Sequence, residues 1–213
     1  MKEHPILFST KMVQALLEGR KTQTRRIIKQ AKGWDINWKV VPVKEEHLDG
    51  IQRYEMRCGT QYSLSFFKAK FNVGDILWVR ETWNTLSEYV RKPDYSVMSN
   101  DDFVYKANED RIDKWKPSIF MPRSACRIRL KITDIRVERL QDISEADAIA
   151  EGAEPALETA GGNFLEYIDK SHVFYNFAPF KFRTGYKKLW SKINGQKSWD
   201  ENPFVWVIEF KKL

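Results

Sequence analysis

The chain opens on a short apolar run, Pro5 to Ser9, that reads as a buried strand. From Ser9 or Thr10 the spacing changes to that of a helix running through Glu18. Val13, Leu16 and Leu17 share one face of it, and Gly19 fits the left-handed position that ends it. The threonines and isoleucines of "GRKTQTRRIIK" favour extended backbone after that turn. Gly74-Asp75 reads as a turn before an apolar strand from Ile76 to Val79. The clearest strand signal is "CRIRLKITDIRVERL", where Ile128, Leu130 and Ile132 alternate with Arg127, Arg129 and Lys131. After Thr133-Asp134 the apolar parity moves to Ile135 and Val137, which predicts a bulge or a tight turn. "DISEADAIAEG" predicts a short helix: Ser144 caps it, Asp147 closes a capping-box-like pair and Gly152 stops it. Phe182, Tyr186, Leu189, Trp190 and Ile193 recur at helical spacing, and "NPFVWVIEF" closes the chain as a buried strand.

Between these elements lie three less periodic stretches, near 31–71, 84–118 and 153–180, which read as insertions, the first with irregular hairpins. Several strands and three short helices predict an α+β, barrel-like fold in one domain spanning 1–213. A length of 213 residues and 42% hydrophobic positions are enough for a sizeable core. Aromatics reach 14%, with eight tryptophans. Trp78, Trp190 and Trp206 read as core. Trp34, Trp38, Trp83 and Trp115 lie in or beside loops, where they either pack or stack on nucleobases.

Charge adds a partner class. The net charge is +7, which favours polyanions such as nucleic acid. From Arg20 to Lys32 there are six Lys or Arg and no acid. The cations expected to meet phosphates are Arg20, Arg25, Arg26 and Lys29, with Arg127, Arg129 and Lys131 on the polar face of the long strand. Glu81 is placed to pair with Arg25 or Arg26. Cys58 and Cys126 form no Cys-x-x-Cys, and His4, His47 and His172 lack metal-ligand spacing, so neither metal nor cofactor is expected. No signal-like or membrane-length apolar run occurs, and the expectation is a cytoplasmic monomer that engages nucleic acid or a modified nucleoside, away from membranes.

The segments "ILFSTKMVQALLEGRKTQTRR", "VGDILWVRETW", "PSIFMPR", "LQDISEADAIAEG" and "NPFVWVIEFKKL" occur in this order and cover over half the chain. In them the chain resembles the ASCH-domain family, in particular its longer phage and prophage members. The resemblance implies a PUA-like fold, a small β-barrel with flanking helices related to RNA-binding domains. Small members of the family are amidohydrolases that deacetylate acetylated cytidine, and another member is a ribonuclease. Carried over by motif, the amidohydrolase residues fall on Lys21 and Thr24 of "GRKTQT" and on Glu151 of "AIAEG".

Those residue types suit amide hydrolysis on chemical grounds as well. Thr24 has a hydroxyl to act as nucleophile, and Lys21 serves as base if burial and the neighbouring Arg20 and Arg25 depress its pKa. Glu151 orients the lysine or carries the proton, and Arg26 or a backbone N–H faces the oxyanion. Residues three apart in a regular strand point to opposite faces, so Lys21 and Thr24 meet only if the segment turns there. Three readings stay open: an amidohydrolase using these three residues, a binding module in which the cations only neutralise phosphate, and a ribonuclease in which, without a histidine pair, a lysine does the acid–base work.

Overall fold

Alternation settles the first strand. In the computed structural model of the chain, β1 (Glu3–Leu7) buries Ile6 and leaves Glu3, Pro5 and Leu7 exposed, so it is half-buried rather than enclosed. The structure describes residues 1–29, 39–42, 53–58, 61–62, 67–85, 103–108, 114–157 and 180–213. Four further strands complete the central sheet: β2 (Gln23–Ile27), β3 (Ile76–Arg80), β4 (Arg129–Arg139) and β5 (Phe204–Lys212). Their order is β1-β3-β4-β5-β2. The β1–β3 pair is parallel and the other three are antiparallel. The described architecture is therefore α+β around a five-stranded, mostly open sheet.

The two ends of the chain meet through this sheet, with β5 seated between β4 and β2. Its side chains feed two cores. Phe204, Trp206, Ile208 and Phe210 join Ile6, Phe8, Leu77, Val79, Leu130 and Ile132. Val205 and Val207 join Leu140, Ala148, Tyr186, Trp190 and Trp199 on the other side. Burial on both faces explains why the closing strand reads as a continuous apolar run and not as an alternation. The parity change in β4 is a bulge: its register against β5 shifts between Ile132 and Asp134.

Helix α1 (Thr10–Leu17) is capped by Ser9, whose hydroxyl accepts from the Met12 N–H at 3.5 Å. Val13, Ala15 and Leu16 are its buried residues, while Leu17 is exposed, so its buried face differs from the expected one by that exchange. Helix α2 (Glu145–Ala150) carries the full capping box between Ser144 and Asp147. Helix α3 (Phe182–Asn194) buries Tyr186 and Trp190 but leaves Ile193 exposed. A fourth helix, α4 (Gln196–Asp200), was not expected. It follows Gly195 at φ 85° and buries Trp199.

Where the first insertion is described, Lys39–Pro42, Arg53–Cys58, Gln61–Tyr62 and Phe67–Lys68 form a four-stranded antiparallel sheet. Tyr54 fastens it to the core, its hydroxyl donating to the Ile135 carbonyl and its ring standing 4.9 Å from that of Trp206. In the second insertion Trp83–Thr85 pairs with Phe103–Tyr105. Trp83 is buried there with Met121 and Ala125, which removes it as a stacking platform. Trp78, expected in the core, is only half-buried. Trp34 and Trp38 fall outside the described residues. Among the described residues no helix is long and apolar enough to cross a membrane.

Candidate functional site

The basic run enters the sheet through a tight joint. Gly19 takes φ 77°, then the Lys21 N–H donates to Ala15 O on α1 and the Thr22 N–H donates to Ala150 O on α2. Lys21 is thereby held between the two helices before β2 begins. From there the odd positions Lys21, Gln23 and Arg25 face α2, as a period of two requires.

Lys21 is fully enclosed. Its Nζ donates to three oxygens: Gln23 O at 2.8 Å, Glu151 O at 2.7 Å and Glu151 Oε2 at 2.8 Å. Glu151 ends α2 and is itself buried. Gly152 follows at φ 77°, and a Cβ there would lie 2.8 Å from Ala15 Cβ and 3.2 Å from Lys21 Cβ. The absence of that carbon lets α1, α2 and Lys21 close on one another. Burial lowers the Lys21 pKa below its ordinary value; the Glu151 carboxylate opposes the shift, and Arg26 and Arg25 add to it.

Arg25 is also fully enclosed. Its guanidinium reaches Glu138 Oε2 at 2.9 Å, Asp147 Oδ2 at 3.5 Å and Glu151 Oε1 at 3.5 Å, while its buried Nε has no partner among the described residues. Gln23 donates through Nε2 to the Asp147 carbonyl and side chain at 2.8 and 2.9 Å. Arg136 extends the network to Glu138, Glu209 and Asp147. Burial pushes the Asp147 carboxyl up, but donation from Gln23 and Ser144 and the charge of Arg25 hold it below the usual carboxylate value. Tyr186 packs on the same side, with Arg25 Cζ 6.0 Å from its ring centroid. Burial, then the Glu151 charge, raises its phenol well above 10.0.

Thr24 is buried on the other face. It pairs in register with Ile208, a member of the first core. Phe8 lies between the two faces: Lys21 Nζ is 5.3 Å and Arg26 Cζ 5.6 Å from its ring centroid. The structure thus joins Lys21 to Glu151 across 130 positions, while Thr24 stands on the opposite face of β2.

The expected phosphate contacts divide. Arg20, Arg26, Lys29 and Arg129 are exposed and Lys131 is half-buried. Arg20 pairs with Glu18, and Arg26 donates to the Leu7 carbonyl at 3.0 Å. Arg25 is not at the surface, because three carboxylates enclose it. Arg127 is not free on a polar strand face either. It holds the buried Glu81 through bonds of 2.9 and 2.8 Å and lies 4.0 Å over the Tyr105 ring. Glu81 therefore pairs with Arg127, not with Arg25 or Arg26.

Gln23, Arg136, Glu138 and Tyr186 escaped the sequence reading as site residues, and Asp147 was read only as a cap. The polar odd positions of β2 were a usable signal, as was Asp147 four residues before Glu151, one helical turn away. Among the described residues no group of three or more His, Cys, Asp or Glu is placed to hold a metal ion. Comparisons with protein-family models, curated proteins and solved structures found no match for this chain.

Proposed function

We propose that the chain binds a modified nucleobase and hydrolyses its exocyclic amide, with N-acetylated cytidine as the substrate class. The observation that carries this reading is the enclosed Lys21–Glu151 pair, a buried amine of lowered pKa with a carboxylate oxygen 2.8 Å away. A proton passing from the Lys21 ammonium to Glu151 leaves a neutral amine. For that amine to take the Thr24 hydroxyl proton as the oxygen attacks the amide carbonyl, the start of β2 must turn so that Thr24 leaves the face opposite Lys21. The leaving amine recovers the proton, and water then cleaves the acyl-threonine ester. Arg26 is the exposed cation next to the pair and faces the developing oxyanion. The ordered motifs support the same reading, with the five-stranded sheet as the wall of a PUA-like barrel.

A binding-only reading has one observation in its favour. All three Lys21 N–H groups are already satisfied by Gln23 O, Glu151 O and Glu151 Oε2, as in a structural ion pair. Incubation with a panel of acylated nucleosides, followed by chromatography, separates the two. The hydrolase reading expects deacylation by the wild type. It also expects large, non-additive losses in Lys21→Ala and Thr24→Ala, and partial activity in Thr24→Ser. Retention of every substrate by folded wild-type protein leaves binding alone. Wild-type turnover in Thr24→Ala removes Thr24 as nucleophile.

A further inference from the structure

A second polar surface lies on the outer face of the sheet, on β3 and its neighbours. In β3, Leu77 and Val79 point into the core, so Trp78 and Arg80 face outward. Register sets Arg129 of β4 beside Trp78 and Lys131 beside Ile76. Arg80 Cζ lies 5.3 Å and Arg123 Cζ 5.8 Å from the Trp78 ring centroid. Arg80 Nε also donates at 3.0 Å to Met121 O, which ties it to the turn Ser118–Phe120. At that turn Phe120 is 70% exposed. Against these four cations the described contacts set one carboxylate, Glu3, which pairs with Arg123 at the exposed rim.

We infer that this face binds a single-stranded polynucleotide, whose bases stack on Phe120 and the Trp78–guanidinium layer and whose phosphates meet Arg80, Arg123, Arg129 and Lys131. An exposed aromatic and a half-buried one interleaved with cations give sequence-tolerant stacking and phosphate neutralisation together. Guanidiniums predominate, and their planar fork suits phosphate oxygens and base faces alike. A duplex hides its base faces, so it cannot use Phe120. A membrane surface calls for a broad insertable apolar face, whereas Trp78 is half-buried beneath arginines.

The face also runs toward the Lys21–Glu151 pair. Leu7 is the register partner of Arg80, and its carbonyl accepts from Arg26, which lies over Phe8 next to Lys21. A strand lying on Trp78 therefore follows a line of cations past the β1 edge to the buried pair. The inference stands independently of the hydrolase reading, since it concerns binding alone.

Fluorescence anisotropy with labelled single-stranded RNA and DNA oligonucleotides across a salt series tests it. The matching duplex, poly-glutamate and phosphatidylserine vesicles are the comparison arms. Single strands are expected to bind at low salt. Phe120→Ala should weaken them roughly tenfold. Arg129→Ala with Lys131→Ala should reduce the log–log salt slope by ~1.4, at about 0.7 per phosphate. Phe120 is exposed, so its replacement leaves the fold and any free-nucleoside hydrolysis unchanged. Lys21→Ala should remove hydrolysis and keep oligonucleotide binding. The proposal is overturned if no single strand binds, if Phe120→Ala binds like wild type, or if duplex, poly-glutamate or vesicles bind as tightly with the same sensitivity to these variants.

Discussion

Lys21 and Arg25 share one carboxylate, and the distances rank them: Glu151 lies 2.8 Å from Lys21 Nζ and 3.5 Å from Arg25 Nη1. Because both partners of the closer pair are buried, removing one leaves a charge that water cannot reach. Lys21→Met is therefore expected to destabilise the protein by about 3–5 kcal/mol, the usual cost of breaking a buried pair. Urea unfolding reads this directly. A loss below about 1 kcal/mol would show that Arg25 alone keeps Glu151 compensated. The Arg25 Nε fits this division of labour, since the terminal nitrogens are spread over Glu138, Asp147 and Glu151 and the Nε is left without a partner among the described residues.

At the scale of elements, the site depends on how α1 and α2 close on the start of β2. Two glycines with positive φ separate backbone strain from packing. Gly152, at φ 77°, has Ala15 and Lys21 within contact of the place a Cβ would occupy, whereas Gly74, at φ 90°, has nothing within 4 Å of it. Gly74→Ala should cost only the left-handed backbone penalty, about 1–2 kcal/mol. Gly152→Ala adds overpacking and should cost about 2–5 kcal/mol in total. Thermal unfolding of the two variants side by side checks the order. Equal losses would mean that the α1–α2 junction has room to spare. Gly185 on α3 serves a similar purpose, because a Cβ there would fall 1.7 Å from Glu154 O.

Across the whole molecule, Asp75 ties the N-terminal strand to the turn before β3. It accepts from the Lys2 N–H at 2.8 Å, the Asn72 N–H at 3.1 Å and His4 Nε2 at 3.2 Å. Burial pushes its carboxyl up, but the Lys2 and Asn72 hydrogen bonds, then His4, outweigh it and hold the pKa below 3.8. A carboxyl depressed in the folded state binds fewer protons there than in the unfolded chain. Its stabilisation is present above the unfolded value and is lost as pH falls through the folded one. Stability should therefore decline below about pH 4, with Asp147 contributing in the same direction. Asp75→Asn should lower stability at neutral pH and flatten that acid decline. Denaturant midpoints at about pH 7 and about pH 3 provide the measurement, and an unchanged acid slope would remove Asp75 from the account.

What the sequence determined by itself is local. Periodicity placed β3, the β4 bulge, α2 with its capping box and the closing strand, because each depends on neighbours within a few positions. The alternation of Lys21, Gln23 and Arg25 was likewise present in the chain, although which face would be buried was not. Tertiary structure decided the partners. Glu81 met Arg127 and Arg25 met Glu138, Asp147 and Glu151, because strand order and register, which no local pattern encodes, choose between cations of equal charge. It also set exposure: Leu17 and Ile193 fit their helical stripes yet face outward, since a stripe becomes a core only where another element covers it. The Lys21–Glu151 pair combines both levels. Its residue types were legible in two motifs, and the shared burial that lowers the lysine pKa arose only when α2 closed over the start of β2.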